Sequence, residues 1–121
     1  MIKKFDDIGI GVDIEENKRF VKLAVDKIFL ERVYADKEIT YCLTKLNPAQ
    51  HLAARFAAKE AVIKACNQLG LKKIAHRDIE VVSHGNNSPT VKIKGETKLA
   101  IKVSLSHNNS QSLAMVIIIK A

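Results

Sequence analysis

The longest uninterrupted helical signal in the chain runs from Asn47-Pro48 to Gly70, and the rest of the fold has to be arranged around it. An Asn side chain at a helix start accepts a hydrogen bond from one of the first backbone N–H groups that have no intrahelical partner. Pro at the next position has no N–H to lose and already carries a helical φ. Gly at the far end adopts the left-handed conformation that closes a helix. A helix over 48–69 is roughly 30 Å long, comparable to the width of a small domain. The full chain has 121 residues, with no internal repeat, low-complexity tract or Pro/Gly-rich linker. It is therefore read as a single domain, residues 1–121, built against that helix.

The segment before the helix divides in two. Ile8-Gly-Ile-Gly-Val-Asp-Ile14 alternates strictly, which predicts a half-buried strand. Ile8, Ile10, Val12 and Ile14 share one face, Gly9, Gly11 and Asp13 the other. Residues 15–44 read as helical, with Phe20, Leu23, Ala24 and Ile28 at helical spacing, broken into two or three short helices. Asp36 is the expected N-cap of the last. Beyond Gly70 the pattern turns to strands over 79–82 and 90–94, joined by the turn-rich His84-Gly-Asn-Asn-Ser-Pro89. Leu99, Ile101, Val103 and Leu105 alternate along a third strand. After the turn His107-Asn-Asn-Ser110, residues 111–120 return as a more fully buried one. The fold class is α+β, one long helix packed on a mostly antiparallel sheet. Aromatics make up only 5% and Trp is absent, so Ile, Val, Leu and Ala must form the core.

No apolar run approaches the roughly 20 residues of a membrane-spanning helix. The longest, 113–119, is strand length. Asp6 and Asp7 interrupt the N-terminus before a signal-peptide core can form. Cys42 and Cys66 stand apart, without CxxC or metal-finger spacing. The expectation is a cytoplasmic protein with both thiols reduced and no membrane association.

Charge narrows the partners. The net charge is +7, and its excess lies in the second half: residues 1–60 hold 11 basic and 10 acidic side chains, residues 61–121 hold 9 and 3. Such a surface suits nucleic acid, a phosphorylated small molecule or an acidic protein, and serves solubility equally well. A small basic nucleic-acid-binding domain is therefore one reading. Against it, aromatic platforms are few and no DNA- or RNA-binding motif is present.

Three places carry candidate chemistry. Asp13 shares its strand face with two glycines, which mark close approach of a ligand or of another backbone. Its alternative role is to cap the helix that follows. On the long helix, Glu60 and Lys64 form an i,i+4 pair, readable as an exposed ion pair or as half of a site bordered by Ala57 and Ala61. Lys59 falls in the apolar stripe of Leu52, Phe56 and Ile63, where it needs a partner or must extend to solvent. His107 heads a turn and has no assigned task from spacing alone. His51, His76 and His84 show no zinc-site spacing, and no phosphate-binding Gly loop or serine-nucleophile motif occurs. One carboxylate on a strand and one on a helix suit Mg²⁺, which takes one or two protein carboxylates and completes its shell with water and phosphate oxygens. Lys64 then faces the same phosphates.

These segments resemble the holo-acyl-carrier-protein synthases, the small stand-alone 4′-phosphopantetheinyl transferases. The matching pieces are Gly9-Ile-Gly-Val-Asp-Ile-Glu15 with Arg19, then Phe29-Leu-Glu-Arg32 with Glu38. Ala54-Arg-Phe-Ala-Ala-Lys-Glu-Ala61 follows with Lys64 and Ala65, and Val103-Ser-Leu-Ser-His107 completes the set. The resemblance covers nearly the whole chain. It implies a Mg²⁺-dependent transfer of the phosphopantetheine arm of coenzyme A to a serine of apo acyl carrier protein, a step that serves fatty acid biosynthesis and lipid metabolism. By position, Asp13 and Glu60 are the implied metal ligands and Asp13, Glu60 and Lys64 the catalytic set. Arg55, Lys59, Lys64 and His107 are the implied coenzyme A contacts, with Lys59 orienting Glu60 or facing the phosphates. Arg19, Lys22 and Lys27 are expected to dock the acidic carrier protein.

The resemblance also implies a homotrimer with active sites between subunits, so that His107 of one chain joins Asp13 and Glu60 of the next. No nucleic acid is expected as a partner. A further alternative keeps the fold as a non-catalytic binder of coenzyme A or of a carrier protein. Three places depart from the family pattern. Residues 1–7 precede the first strand by more residues than is typical, so that end is expected to be disordered. The turn at 86–89 has Ser where Gly-Lys/Arg-Pro is commoner, and 108–111 lacks a basic or aromatic residue.

Overall fold

The computed structural model describes residues 4–85 and 87–120. The Met1–Lys3 part of the N-terminal lead and Asn86 of the predicted turn lie outside the described residues. Phe5–Asp7 forms a single 3₁₀ turn rather than the expected disordered lead, and runs directly into β1 (Ile8–Glu16). Three short helices follow: α1 (Arg19–Leu23), α2 (Lys27–Val33) and α3 (Asp36–Leu43). Next comes α4 (Pro48–Gln68), then β2 (Ile79–His84), β3 (Asn87–Ile93), β4 (Leu99–His107) and β5 (Gln111–Lys120). The order is α+β, as the sequence pattern predicts.

Local chemistry explains the helix limits. Asn47 accepts from the Gln50 N–H, Pro48 occupies the first turn, and Gly70 at φ +78° follows the end. Asp26 caps α2 by accepting from the Phe29 N–H. That cap restarts the helix and shifts its phase, so Ile28 points to solvent rather than into the predicted stripe. Asp36 is the first residue of α3 and not its cap; Ala35 holds that position and donates its N–H to Glu38 Oε1.

β5 is the centre of a three-stranded antiparallel sheet, with β1 on one side and β4 on the other. β2 and β3 form a separate hairpin. α4 lies between these sheets and the short helices and is buried on nearly every side from Leu52 to Lys59, so the single apolar stripe expected for it gives way to a central helix. Leu52, Ala53 and Phe56 pack with Phe20, Leu30, Val33 and Tyr34. Ala57, Ala58, Ala61, Val62 and Ala65 pack on Ile79, Val81, Ala114, Val116 and Ile118. Small side chains on that second side let the helix axis approach the sheet closely.

The faces of β1 are the reverse of what hydrophobicity predicts. Gly9 and Gly11 are buried, while Ile10, Val12 and Ile14 remain 51, 55 and 52% exposed. A Cβ on Gly11 would stand 1.8 Å from the Ala61 carbonyl oxygen, and one on Gly9 2.3 Å from that of Ala65. The strand lies backbone against backbone on α4, which only glycine permits. β5 alternates too, with Ala114, Val116 and Ile118 inside and Leu113 and Met115 exposed, so it is half-buried rather than fully buried. The register pairs Ile10 with Ile117, Val12 with Met115 and Ile14 with Leu113. Together they make a continuous apolar face that none of the described residues covers.

Candidate active site

The glycine contact sets the site. Asp13 lies two residues beyond Gly11 on the same strand face, against the turn of α4 that carries Glu60 and Lys64. Lys64 Nζ donates to the Val12 carbonyl at 2.9 Å and lies 3.3 Å from Asp13 Oδ1. Asp13 Oδ2 is buried and accepts no hydrogen bond from the described residues. Asp13 therefore caps no helix; α1 has no side-chain cap. Glu60 does not pair with Lys64 along the helix. Its Oε2 instead meets His76 Nε2 at 3.2 Å, which overturns the reading of an exposed i,i+4 ion pair.

Glu15 extends the carboxylate cluster. Burial, then the closeness and negative charge of neighbouring Asp13, and more weakly Glu60, push its pKa up to about 7, while Arg19 opposes the shift. Arg19 Nη1 holds Glu15 Oε1 at 2.8 Å. Glu15 is a site neighbour that residue-by-residue reading did not single out. The signal was present, because Asp-x-Glu on a strand puts both carboxylates on one face. His76, on the 3₁₀ turn His76–Asp78, is a second addition. No local pattern could have found it, since it reaches Glu60 across 16 residues.

The donor set fits a hard divalent cation. Asp13 offers a buried oxygen without a donor, and Glu60 keeps one oxygen clear of His76. Among the described residues no three His, Cys, Asp or Glu side chains enclose a metal position. Two carboxylates with the rest of the shell open match the habit of Mg²⁺, which retains waters and takes substrate phosphates.

Lys59 faces elsewhere. Its side chain is fully buried and donates to Glu38 Oε1 at 2.7 Å, to the His76 carbonyl at 2.9 Å and to the Ile79 carbonyl. It makes no bond to Glu60 and has no route to an open phosphate. Burial lowers its pKa, and Glu38 opposes that shift. Glu38 also accepts from the Ala35 and Val81 N–H groups. The pair ties α3, α4 and β2 together.

Arg55 and His107 lie toward the other end of α4. Arg55 is buried, bonded to Ser83 Oγ, with its guanidinium 4.3 Å from the Tyr41 ring and its Nε without an acceptor among the described residues. Lys45 Nζ covers the same ring at 4.3 Å. His51 packs edge-on to Tyr41, and its pKa is lowered first by burial and then by Arg55, Lys45 and His107. His107 Nδ1 lies 3.0 Å from Gln50 Nε2. Gln50 and Glu60 are about 15 Å apart along the helix. One chain therefore does not bring His107 to the Asp13–Glu60 cluster.

Arg19 and Lys22 sit on α1, with Arg19 Cζ 5.5 Å from the Phe20 and Phe56 rings. Lys27 opens the separate helix α2 rather than continuing theirs. All three are exposed.

The sequence model of the 4′-phosphopantetheinyl transferase superfamily matches residues 9–117. A holo-[acyl-carrier-protein] synthase of Thermodesulfovibrio yellowstonii is 42% identical over 91% of this chain and 96% of its own length. The Geobacter sulfurreducens protein of the same name is 38% identical over 91% and 95%. Among solved structures, a holo-(acyl-carrier-protein) synthase from Bacillus anthracis in complex with CoA (3′,5′-ADP) superposes with a TM-score of 0.78 at 30% identity, covering 93% of this chain and 96% of that one. A synthase–CoA complex from Chronobacterium ammoniagenes gives 0.80 at 25% identity, covering 94% and 98%.

Proposed function

This chain belongs to the 4′-phosphopantetheinyl transferase superfamily, and from that membership we infer that it is a holo-[acyl-carrier-protein] synthase. It transfers the 4′-phosphopantetheine arm of coenzyme A to a serine of apo acyl carrier protein, leaving adenosine 3′,5′-bisphosphate. The observation that carries the reading to the level of residues is the Asp13–Glu60–Lys64 cluster at the β1–α4 contact. The non-catalytic binder of the same fold is disfavoured because both carboxylates and the lysine are present and adjacent.

In this reading Asp13 and Glu60 hold Mg²⁺. Bound there, the ion supplies neutralisation of the diphosphate and orientation for in-line attack. Lys64, already fixed by the Val12 carbonyl, presents its ammonium beside Asp13 and stabilises charge on the departing phosphate. Arg55, Lys45 and His51 form the basic end that suits the nucleotide phosphates, with His107 alongside. Arg19, Lys22 and Lys27 supply positive charge for an acidic carrier protein. The buried free thiols Cys42 and Cys66 suit work in the cytoplasm.

The open apolar face of β1 and β5 supports assembly into a homotrimer. Contiguous exposed apolar surface of this kind marks an interaction site. Assembly would bring a neighbour's His107 end to the Asp13–Glu60 cluster that its own chain does not reach. The test is intact-mass spectrometry of apo acyl carrier protein incubated with the protein, coenzyme A and Mg²⁺. The expected result is a gain of one phosphopantetheine, lost in EDTA. No gain with several apo carriers removes the transferase reading.

A further inference from the structure

We propose that His76 is a positioning residue for Glu60: it engages one carboxylate oxygen and so commits the other to the metal side of the site. The inference rests on the reading of Glu60 as a metal ligand and adds a residue outside the set that reading uses.

Three separate contacts hold the imidazole in place. Its ring lies flat on Phe56, with centroids 5.4 Å apart and an interplanar angle of 8°. Its main-chain carbonyl accepts from Lys59 Nζ at 2.9 Å, and Lys59 is itself locked by Glu38 in the interior. Its Nε2 lies 3.2 Å from Glu60 Oε2. The stack fixes the ring plane, the buried lysine fixes the backbone, and the edge that remains is directed at the carboxylate.

An ordinary surface His–Glu contact has none of this scaffolding. Both side chains here are about one-third exposed, 32 and 33%, so their hydrogen bond contributes little to folding. Its rigidity instead determines where the carboxylate points. An ionised carboxylate only accepts, so the nitrogen facing it carries the proton. With Oε2 engaged, Oε1 is the oxygen left for a cation, and Glu60 ligates through one oxygen rather than two. Hydrogen bonds to metal ligands act in this way, and their loss typically lowers metal affinity about 10–100-fold.

The test uses the full chain with coenzyme A at fixed concentration. Mn²⁺ is the probe, and its free fraction is followed by electron paramagnetic resonance against a blank without protein. His76→Phe keeps a flat ring on Phe56 and loses the donor. His76→Ala loses both. His76→Gln keeps an N–H donor at comparable reach and loses the ring. The expected result is Mn²⁺ binding about tenfold weaker in the first two variants and close to the unmodified protein in His76→Gln. Affinity in His76→Phe and His76→Ala equal to that of the unmodified protein overturns the proposal, as does a His76→Gln variant as weak as His76→Ala. Glu60→Gln separates the two levels. If it binds Mn²⁺ as the unmodified protein does, Glu60 is not a ligand and the proposal falls with that reading. If it weakens binding while the histidine variants do not, only the role of His76 falls.

Discussion

Lys59 and Glu38 form an ion pair closed to solvent, with Nζ and Oε1 2.7 Å apart and side chains 0 and 1% exposed. All three Lys59 ammonium protons and both Glu38 oxygens are engaged: Glu38 also takes the Ala35 and Val81 N–H groups, and Lys59 the His76 and Ile79 carbonyls. A charge in such a place is tolerated only because its partner is there.

Removing one member should therefore be costly. Lys59→Met leaves a buried carboxylate without its cation, and a loss of about 3–5 kcal/mol in urea unfolding is expected. The double change Lys59→Met with Glu38→Met should recover much of it. A single-variant loss below about 1 kcal/mol contradicts this account of the pair.

The β1–α4 contact predicts a second loss of stability. Gly11→Ala puts a methyl where the Ala61 carbonyl stands, and the clash is with backbone, which cannot rotate away. A destabilisation of about 3 kcal/mol, at the upper end of ordinary overpacking costs, or failure to fold is expected in thermal melts. Gly85→Ala meets no atom within 4 Å and pays only for its φ of +64°. It should therefore melt well above Gly11→Ala.

Activity should divide along the site. Asp13→Ala and Glu60→Ala are each expected to abolish transfer with the circular dichroism spectrum unchanged. Lys64→Ala should lower turnover, with apo-carrier KM little altered. Full activity in either carboxylate variant excludes that residue from the metal site.

His51 gives a pH dependence of known sign. Burial and the surrounding positive charges lower its pKa in the folded chain, so below its ordinary value of about 6.5 the unfolded chain binds a proton that the native one refuses. Stability attributable to His51 is present above that pH and is lost as pH falls through it. Urea midpoints from pH 8 to 5 should drop less for His51→Gln than for the unmodified protein. Identical slopes would mean that His51 titrates normally.

The apolar sheet face predicts the state of assembly. Val12→Lys places a charge at its centre, opposite Met115. Light scattering should show a trimer for the unmodified chain and a monomer for the variant, with transfer falling in parallel. A monomeric unmodified protein would remove the shared-site arrangement.

Much of the fold is readable without coordinates wherever the cause is local. Asn47, Pro48 and Gly70 bound α4 through capping and φ alone. The alternation of β1 and β4 follows from the period of a strand. That Asp13 belongs with Glu60 and Lys64 is legible only through motif resemblance, because Asp13 and Glu60 lie 47 residues apart and no period links strand to helix. Ile28 turns to solvent because the Asp26 cap resets the helical phase, and Asp36 falls inside α3 because Ala35, tied to Glu38, takes the cap position.

The sequence by itself determined which elements form and that β1 has one glycine face and one apolar face. It could not say which face turns inward. Transfer free energy favours burying the isoleucines, whereas the observed packing follows from how closely α4 can approach bare backbone at Gly9 and Gly11. Tertiary structure alone decided the partners of Lys59, Glu60 and Lys64, three of the four charged residues on α4. Lys59 found Glu38, Glu60 found His76 and Lys64 found Asp13, each across at least 16 residues. Hydrogen bonds and ion pairs depend on distances of a few ångströms, and for groups this far apart in the chain only the packed fold sets those distances.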